Sequence, residues 1–418
     1  SGGVININPT TSTTNTDVPF LLSSTSTFSM SGGTICIANS LATTSANAGG
    51  DFQNLASTYT VTGGTLQIGN ANTTGSPIIR INSTVPIWNL VVNGTGSPTA
   101  KIVTNNLSVL NDVSIATGSV LQVSPSIGLT VNGAFTNNGI LNLLSDATGT
   151  ATILTKGTIS AGTYNINQYL TSPIRTWYMS SPVANAQPVD MNWIKYYDEA
   201  ANNWLPLFDS RTASSTPYGT NSFVTGKGYS VTPNTGITNI LFTGALNTGE
   251  KTIALTKVGS TTQAGFNAIG NPYPSYIDWK AMVTKNTAVL ETGTMWYRTK
   301  IDATTYKYFT VDALGNVAPS GSSATAFIPP MQAFWVKTKT GGGTFYFEDN
   351  MRSHASATPN LLKAPAAKNS ELSLLRLQVS NGTNVDEAVI YSYASAENGY
   401  DFYDSPKMMN NDVTIPEI

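Results

Sequence analysis

Alternating apolar and polar residues, interrupted by glycine and asparagine, recur at short intervals through the first 150 residues. Residues 31–37 (SGGTICI) recur 31 positions later as residues 62–68 (TGGTLQI), and Val109 lies 22 positions before Val131. An alternation of period two predicts a strand with one buried face, and a repeat of about 20 residues with three short strands is typical of a parallel β-solenoid. The pattern therefore predicts a parallel β-solenoid over residues 1–165, whose stacked coils bury valine, isoleucine and leucine. A β-sandwich with threonine-rich strands is the alternative.

The pattern changes after residue 165, where aromatic residues become more frequent and strand candidates follow one another closely. Glycine, proline and asparagine separate these candidates, which predicts a β-sandwich with jelly-roll-like loops over residues 166–352. One short helix is expected around residues 278–284. A segment of small residues and proline over residues 353–370 is predicted to be a linker, and residues 371–418 are predicted to begin a further β-sandwich. The predicted fold class is all-β.

Charged residues are scarce, at 11% of the chain, and only six of them fall within residues 1–150. The net charge is −2 and no basic run occurs, so the clustered lysine and arginine that bind nucleic acid or anionic membranes are missing. The single cysteine, Cys36, and the single histidine, His354, can form neither a disulfide nor a zinc cluster. No apolar run is long enough for a membrane helix. We therefore predict no nucleic-acid partner and no cofactor.

Catalytic constellations are hard to assemble from this sequence. Asp112 and Asp146 lie near the repeat, but their separation of 34 positions is not a whole number of coils, so solvated turns are favoured over an acid–base pair. His354 is expected in an exposed loop, and no Gly-x-Ser-x-Gly elbow accompanies it. Cys36 is expected to point away from the core, with no basic neighbour in sequence to activate its thiol. We predict that the chain has no catalytic residues and is not an enzyme.

Two groups of residues are candidates for binding. Asn398, Asp401 and Asp404 offer oxygen ligands for calcium, but their spacing lacks the ordered pattern of a calcium loop, so an Asx turn is favoured. Six aromatic residues crowd between residues 177 and 204, and alternation places most of them in a sandwich core. Trp204 is the candidate for stacking on a sugar ring, because it follows two asparagines on a predicted loop.

Several segments resemble surface cargo proteins of the bacterial type IX secretion system, the export route associated with gliding. The matching segments are residues 175–183 (RTWYMSSPV), 265–279 (GFNAIGNPYPSYIDW), 328–336 (IPPMQAFWV), 347–352 (FEDNMR) and 399–407 (GYDFYDSPK). The resemblance extends over about residues 90–407. It implies a protein that crosses the outer membrane in folded form through a β-barrel translocon. It also implies a C-terminal sorting β-sandwich, which we expect beyond Ile418.

Together these observations predict a secreted protein of the bacterial cell surface, structural or adhesin-like and without catalysis. The resemblance implies the outer-membrane type IX translocon, with its shuttle and attachment components, as partners. The alternative is a carbohydrate-binding module of a surface polysaccharide-processing protein, which would have surface glycans as partners.

Overall fold

The computed structural model describes residues 2–9, 18–41, 50–171, 176–187, 189–209, 222–300, 306–318, 325–354, 374–382, 385–406 and 418. Strands make up 51% of the protein and helix 3%, so the predicted all-β fold class is confirmed. The chain divides into two compact units. The first contains Ser1–Thr171 and Thr238–Leu246, and the second contains Ser172–Ile237 and Asn247–Ile418.

The strands up to residue 171 are β1 (Val4–Ile7), β2 (Phe20–Leu22), β3 (Thr27–Ile37), β4 (Phe52–Asn54), β5 (Thr58–Ile68), β6 (Ile78–Ser83), β7 (Asn89–Val92), β8 (Thr99–Ile102), β9 (Leu107–Val109), β10 (Val113–Ile115), β11 (Val120–Val123), β12 (Gly128–Val131), β13 (Phe135–Asn137), β14 (Ile140–Leu143), β15 (Ser145–Asp146), β16 (Gly149–Thr150), β17 (Thr152–Thr155) and β18 (Thr163–Tyr169). The later strands are β19 (Trp177–Met179), β20 (Met191–Asp198), β21 (Asn203–Asp209), β22 (Tyr229–Pro233), β23 (Asn239–Thr243), β24 (Lys251–Leu255), β25 (Phe266–Gly270), β26 (Tyr276–Asp278), β27 (Leu290–Lys300), β28 (Tyr306–Val311), β29 (Val317–Ala318), β30 (Phe327–Ile328), β31 (Ala333–Thr338), β32 (Gly343–Phe347), β33 (Arg352–Ser353), β34 (Leu374–Ser380) and β35 (Val385–Tyr391). The helices are α1 (Trp279–Lys285) and a 3₁₀ turn over Asp349–Met351.

Three sheets with parallel pairing build most of the first unit. Their strand orders are β1-β3-β5-β7-β10-β13, β2-β4-β6-β8-β11-β14-β18 and β17-β12-β9. Neighbours within a sheet lie one repeat apart in sequence, so the chain leaves each sheet and returns to it after a repeat. Ile35 of β3 faces Leu66 of β5, and Val131 of β12 faces Val109 of β9. The repeated segments recognised in the sequence therefore lie side by side.

Alternation along these strands buries every second side chain. In β11, Leu121 and Val123 are fully buried, whereas Val120 and Gln122 remain partly exposed. Leu121 pairs with a buried residue on each side, Ala100 of β8 and Leu141 of β14. Burying one such aliphatic side chain contributes about 1.5–3 kcal/mol. The repeated inward positions therefore form a continuous core without any disulfide.

Asparagine side chains join equivalent positions of successive repeats. Asn111 donates from Nδ2 to Oδ1 of Asn89 at 2.9 Å, and Asn165 donates to Asn142 at 3.0 Å. Each amide has both a donor and an acceptor, so such pairs satisfy polar groups between neighbouring repeats.

One strand of the first unit comes from much later in the chain. β23 pairs antiparallel with β18, with Phe242 opposite Ile166. The sequence pattern had assigned β23 to the sandwich of residues 166–352. Because the pattern of a short alternating strand does not specify its partner, that pattern alone does not predict that β23 pairs with β18.

The second unit is dominated by two antiparallel sheets, with strand orders β19-β22-β20-β21 and β25-β31-β27-β28-β29. Smaller sheets are β24-β32, β30-β26-β33 and β34-β35. The main core lies on one face of the five-stranded sheet and includes Phe334, Val336, Met295, Phe309 and Trp279. The strand residues among them alternate with residues on the other face of the sheet, and that other face carries the candidate site.

The predicted short helix is confirmed as α1. It begins after Asp278, whose carboxylate accepts a hydrogen bond from the backbone N–H of Lys280 at 2.9 Å. Such an N-cap satisfies one of the free amides at a helix start. The helix buries Trp279, Met282 and Val283 against the core.

The predicted linker and the start of the further β-sandwich fall partly outside the described residues, which omit 355–373. The described part forms the two-stranded β34-β35 sheet and a turn-rich segment over residues 392–406. Phe402 packs against the main core of the second unit, and its carbonyl accepts a hydrogen bond from the N–H of Gly293 at 2.7 Å. The turn-rich segment over residues 392–406 therefore packs against the rest of the second unit.

Candidate functional site

Trp335 occupies the centre of the five-stranded sheet, on the face opposite the main core. Its cross-strand neighbours are Ala268 of β25 and Trp296 of β27. Phe334 and Val336, on either side of it in β31, point into the main core. Alternation thus places Trp335 on the second face, where Ala268 packs against it.

Three rings from the four-stranded sheet pack against Trp335. The ring centroid of Trp335 lies 4.7 Å from Tyr197, 5.6 Å from Trp204 and 6.3 Å from Tyr178, all in edge-to-face geometry. Trp204 also lies 5.4 Å from Tyr178 and 5.7 Å from Tyr197. Edge-to-face pairs of this kind are favourable beyond the area they bury. With Tyr308, these residues are called the aromatic cluster below.

The exposure of the rings falls from the outside to the inside of the aromatic cluster. Trp335 is 4% exposed, whereas Tyr178, Tyr197 and Trp204 are half-buried and Tyr308 is 43% exposed. Phe266 and Trp296 are buried with Trp335 on the same sheet face. The aromatic cluster therefore has a closed floor and a partly open upper layer.

Polar groups surround this upper layer. The hydroxyls of Tyr178 and Tyr308 are hydrogen-bonded at 2.9 Å, and Tyr197 donates from its hydroxyl to Oδ1 of Asn202 at 2.6 Å. The guanidinium carbon of Arg298 lies 6.0 Å from the ring centroid of Tyr178. Burial, with a smaller contribution from Glu199 and Asp198, raises the pKa of Tyr197, so its hydroxyl keeps its proton and remains a donor.

One polar atom of the aromatic cluster has no partner. Nε1 of Trp335 is buried and makes no hydrogen bond. By contrast, Nε1 of Trp279 in the main core donates to the carbonyl of Gly293 at 3.2 Å. A buried donor without an acceptor costs about 1–3 kcal/mol.

The charges on the same sheet face neutralise one another. Glu291 accepts a hydrogen bond from Lys337 at 3.0 Å and also pairs with Lys257. Burial opposes the ionisation of Glu291, but the bonds from the two lysines outweigh it and lower the pKa of that carboxyl. Lys337 also lies 5.3 Å from the ring centroid of Phe266. This carboxylate is an ion-pair partner and is not poised to transfer protons.

Trp204, the candidate for sugar stacking, lies in β21 and not on the predicted loop. It follows the turn that joins β20 to β21 and faces Tyr197 across the two strands. Crowding of aromatic residues in the sequence pointed to Tyr178, Tyr197 and Trp204. Tyr308, Trp335 and Arg298 were missed, because they come from strands more than 90 residues further along the chain.

A family model described as a domain of unknown function, DUF8693, matches residues 80–418. The chain belongs to the DUF8693 family. The matched region includes the whole aromatic cluster. No curated protein and no solved structure matches the chain.

The acidic candidates of this DUF8693 member accept backbone hydrogen bonds. Oδ1 of Asp401 accepts from the N–H of Tyr403 at 2.8 Å, which is the spacing of an Asx turn, and Asp404 accepts from the N–H of Asp401 at 2.7 Å. Asp146 accepts from the N–H of Thr148 with the same Asx spacing, whereas Asp112 accepts from the N–H of Ala134, 22 positions later. Within the described ranges, no three histidine, cysteine or acidic side chains come together as a metal site.

No helix among the described residues is long and apolar enough to cross a membrane.

Cys36 is buried, contrary to the expectation that it points outward. Alternation along β3 does place the side chain of Cys36 on the other face of the strand from Ile35 and Ile37, but Cys36 is only 2% exposed. Its Sγ accepts a hydrogen bond from Nδ2 of Asn70 at 3.4 Å. Burial raises the pKa of this thiol, and the bond from Asn70 offsets only part of that effect. The thiol is therefore a poor nucleophile.

His354 is half-buried, so the expectation of an exposed loop residue is wrong. Burial, followed by the nearby charge of Arg352, lowers the pKa of His354 to about 4. The imidazole is thus neutral at physiological pH. It folds as part of the second unit next to β33.

The depressed pKa of His354 predicts a pH-dependent stability. Because protonation is disfavoured in the folded state, the contribution is complete above the ordinary pKa of about 6.5 and is lost as pH falls towards 4. We expect the free energy of unfolding to fall by about 2 kcal/mol more in the parent than in His354→Gln over this window. Urea unfolding at pH 7 and pH 4.5 measures the difference. The chain has one histidine, so its NMR titration is unambiguous, and a pKa near 6.5 would contradict the prediction.

Proposed function

We propose that this chain is a non-catalytic protein of the bacterial cell surface, structural or adhesin-like, that the type IX secretion system exports. In this proposal the first unit is a parallel β-solenoid that serves as a spacer. The second unit is a β-sandwich that presents the aromatic cluster for contact with other molecules.

The pairing of the first unit supports the solenoid. Strands that neighbour one another within its three parallel sheets are one repeat apart in the chain. Asn111 bonds to Asn89, 22 positions earlier, as expected when successive coils stack. Stacked coils bury apolar side chains without needing disulfides, which suits a chain with a single cysteine.

The hydrogen bonds and ion pairs made by the carboxylates support a non-catalytic role. Asp51 is fully buried and accepts hydrogen bonds from Ser40 Oγ at 2.8 Å, from the N–H of Leu41 at 3.0 Å and from the N–H of Arg80 at 2.8 Å. Asp112 accepts from the N–H of Ala134 in the next repeat, Asp146 stabilises a turn, and Glu291 is held by two lysines. Acid–base catalysis needs a carboxyl in reach of substrate, and these groups are already occupied.

The export route rests on the resemblance of residues 175–183, 265–279, 328–336, 347–352 and 399–407 to type IX cargo. The core residues Trp279, Phe334 and Phe402 belong to three of these segments, and they pack on one core. This shared packing is the observation that carries the proposal, because it joins three of the resembling segments in one folded module.

Export can be tested in a gliding bacterium that encodes the chain. We expect the full-length protein, carrying an internal epitope, to be removed from intact cells by added protease. Deletion of the type IX translocon should abolish this surface signal and leave the protein inside the outer membrane. A surface protein that uses another export route is the control. Unchanged surface levels in the deletion strain would contradict the proposal.

The alternative function is a carbohydrate-binding module of a surface polysaccharide-processing protein, and the aromatic cluster favours it.

The absence of catalysis can be tested by incubating the purified protein with plant, algal and host polysaccharides. We expect no new reducing ends and no unsaturated products. Cleavage of any polysaccharide would overturn the non-catalytic assignment.

A further inference from the structure

We propose that the aromatic cluster is a carbohydrate-binding site that takes a pyranose unit of a surface polysaccharide. The inference rests on the proposed function, since it names the ligand of a non-catalytic surface protein. It concerns residues of the second unit alone.

Much of the aromatic surface of the upper layer is left open. Tyr178, Tyr197 and Trp204 are half-buried and Tyr308 is 43% exposed, although a closed aromatic floor of Phe266, Trp296 and Trp335 lies beneath them. A pyranose presents a flat face of C–H groups, which packs on indole and phenol rings. An open layer of rings over a rigid sheet fits that face.

Polar groups form a rim around the rings of the aromatic cluster. The paired hydroxyls of Tyr178 and Tyr308, the amide of Asn202 and the guanidinium of Arg298 lie around the rings. Binding sites for small polar molecules combine an apolar surface with a few convergent polar groups. A sugar has hydroxyls at its edge that can form hydrogen bonds with polar groups in such a rim.

The buried indole N–H of Trp335 has no hydrogen-bond partner. The ring of Trp335 packs edge-to-face against Tyr178, Tyr197 and Trp204, all of which are half-buried themselves. A sugar hydroxyl that reaches this N–H between these rings would accept its hydrogen bond and remove the cost of the unmet donor. The donor in the main core, Nε1 of Trp279, is already paired and offers nothing of this kind.

The test begins with the purified full chain on an array of oligosaccharides and polysaccharides that includes glucans, mannans, galactans, chitin fragments and uronates. We expect binding to at least one pyranose glycan. Isothermal titration with that glycan then compares Trp204→Ala with the parent, and we expect affinity to fall about tenfold or more, which corresponds to about 1.4 kcal/mol. Trp88→Ala is the matched control, because Trp88 is a half-buried tryptophan of the first unit. It should bind like the parent.

Trp335→Phe separates a ligand donor from a structural residue. The change removes the unpaired N–H, which offsets part of the packing lost with the larger ring, so thermal stability should change little. Glycan affinity should nevertheless fall about tenfold. Silence of the whole array, or unchanged affinity in Trp204→Ala, would overturn the carbohydrate site. Because surface export is measured in cells without any glycan, a silent array combined with translocon-dependent export would leave the proposed function standing.

Discussion

Replacement of Gly139 by alanine is expected to destabilise the first unit by about 3 kcal/mol or more. A Cβ at this position would lie 2.2 Å from the carbonyl oxygen of Ser119, 2.6 Å from that of Ala116 and 2.8 Å from Cγ2 of Ile115. The carbonyl of Ser119 accepts a hydrogen bond from the N–H of Ile140 at 3.1 Å, and that of Ala116 accepts one from the N–H of Ser119 at 3.0 Å, so these backbone atoms cannot move aside cheaply. Urea unfolding followed by far-ultraviolet circular dichroism measures the loss.

Gly32→Ala is the matched control for Gly139→Ala. Gly32 lies in β3 of the same unit, and a Cβ there would meet nothing within 4 Å. Alanine restricts the unfolded chain more than glycine, so this variant should be as stable as the parent or slightly more stable. Equal unfolding midpoints for the two variants would show that Gly139 is not sterically constrained.

Trp279→Ala is expected to cost the second unit about 3–5 kcal/mol, the usual loss for a fully buried tryptophan. Trp279 is 0% exposed and packs edge-to-face on Phe334 at 6.0 Å. Its Nε1 donates to the carbonyl of Gly293, whose own N–H binds the carbonyl of Phe402. The substitution therefore opens a cavity and also leaves the Gly293 carbonyl without this donor. Thermal unfolding monitored by near-ultraviolet circular dichroism reports the change.

The neighbouring helix position provides the control. Lys280 is exposed, so Lys280→Ala should change stability by less than about 0.5 kcal/mol. If Trp279→Ala unfolds at the same temperature as Lys280→Ala, the main core does not depend on this indole.

The parallel pairing of the first unit was largely readable from the sequence, because equivalent positions pair in register. The copies at residues 31–37 and 62–68 lie next to each other, with Ile37 opposite Ile68. The burial of Cys36 was not readable, since its cover comes from Asn70 and other groups that alternation ignores. The pairing of β23 with β18 was missed for a similar reason. Alternation determines which face a residue lies on, whereas the cover of that face depends on tertiary contacts.

The aromatic cluster was predictable only in its local part. Tyr197 and Trp204 are close in sequence and face each other across β20 and β21, so their proximity follows from a hairpin. Trp335 and Tyr308 join them through contacts between sheets, and no spacing in the chain encodes such contacts. Sequence reasoning therefore found the half-buried rings of the upper layer and missed Tyr308 and the buried floor beneath them.

The bonds between Asn89 and Asn111 and between Asp112 and Ala134 each link atoms 22 positions apart. A chain organised in this way can change its length in whole periods at little energetic cost. Excision of the 22 residues that begin at Leu107 would join Asn106 to Leu129, which already lies beside Leu107. Excision of half that number would instead bring corner residues into strand positions. Gene-level expansion and contraction of this unit should accordingly occur in discrete steps, so that its reach can evolve while its interior stays unchanged.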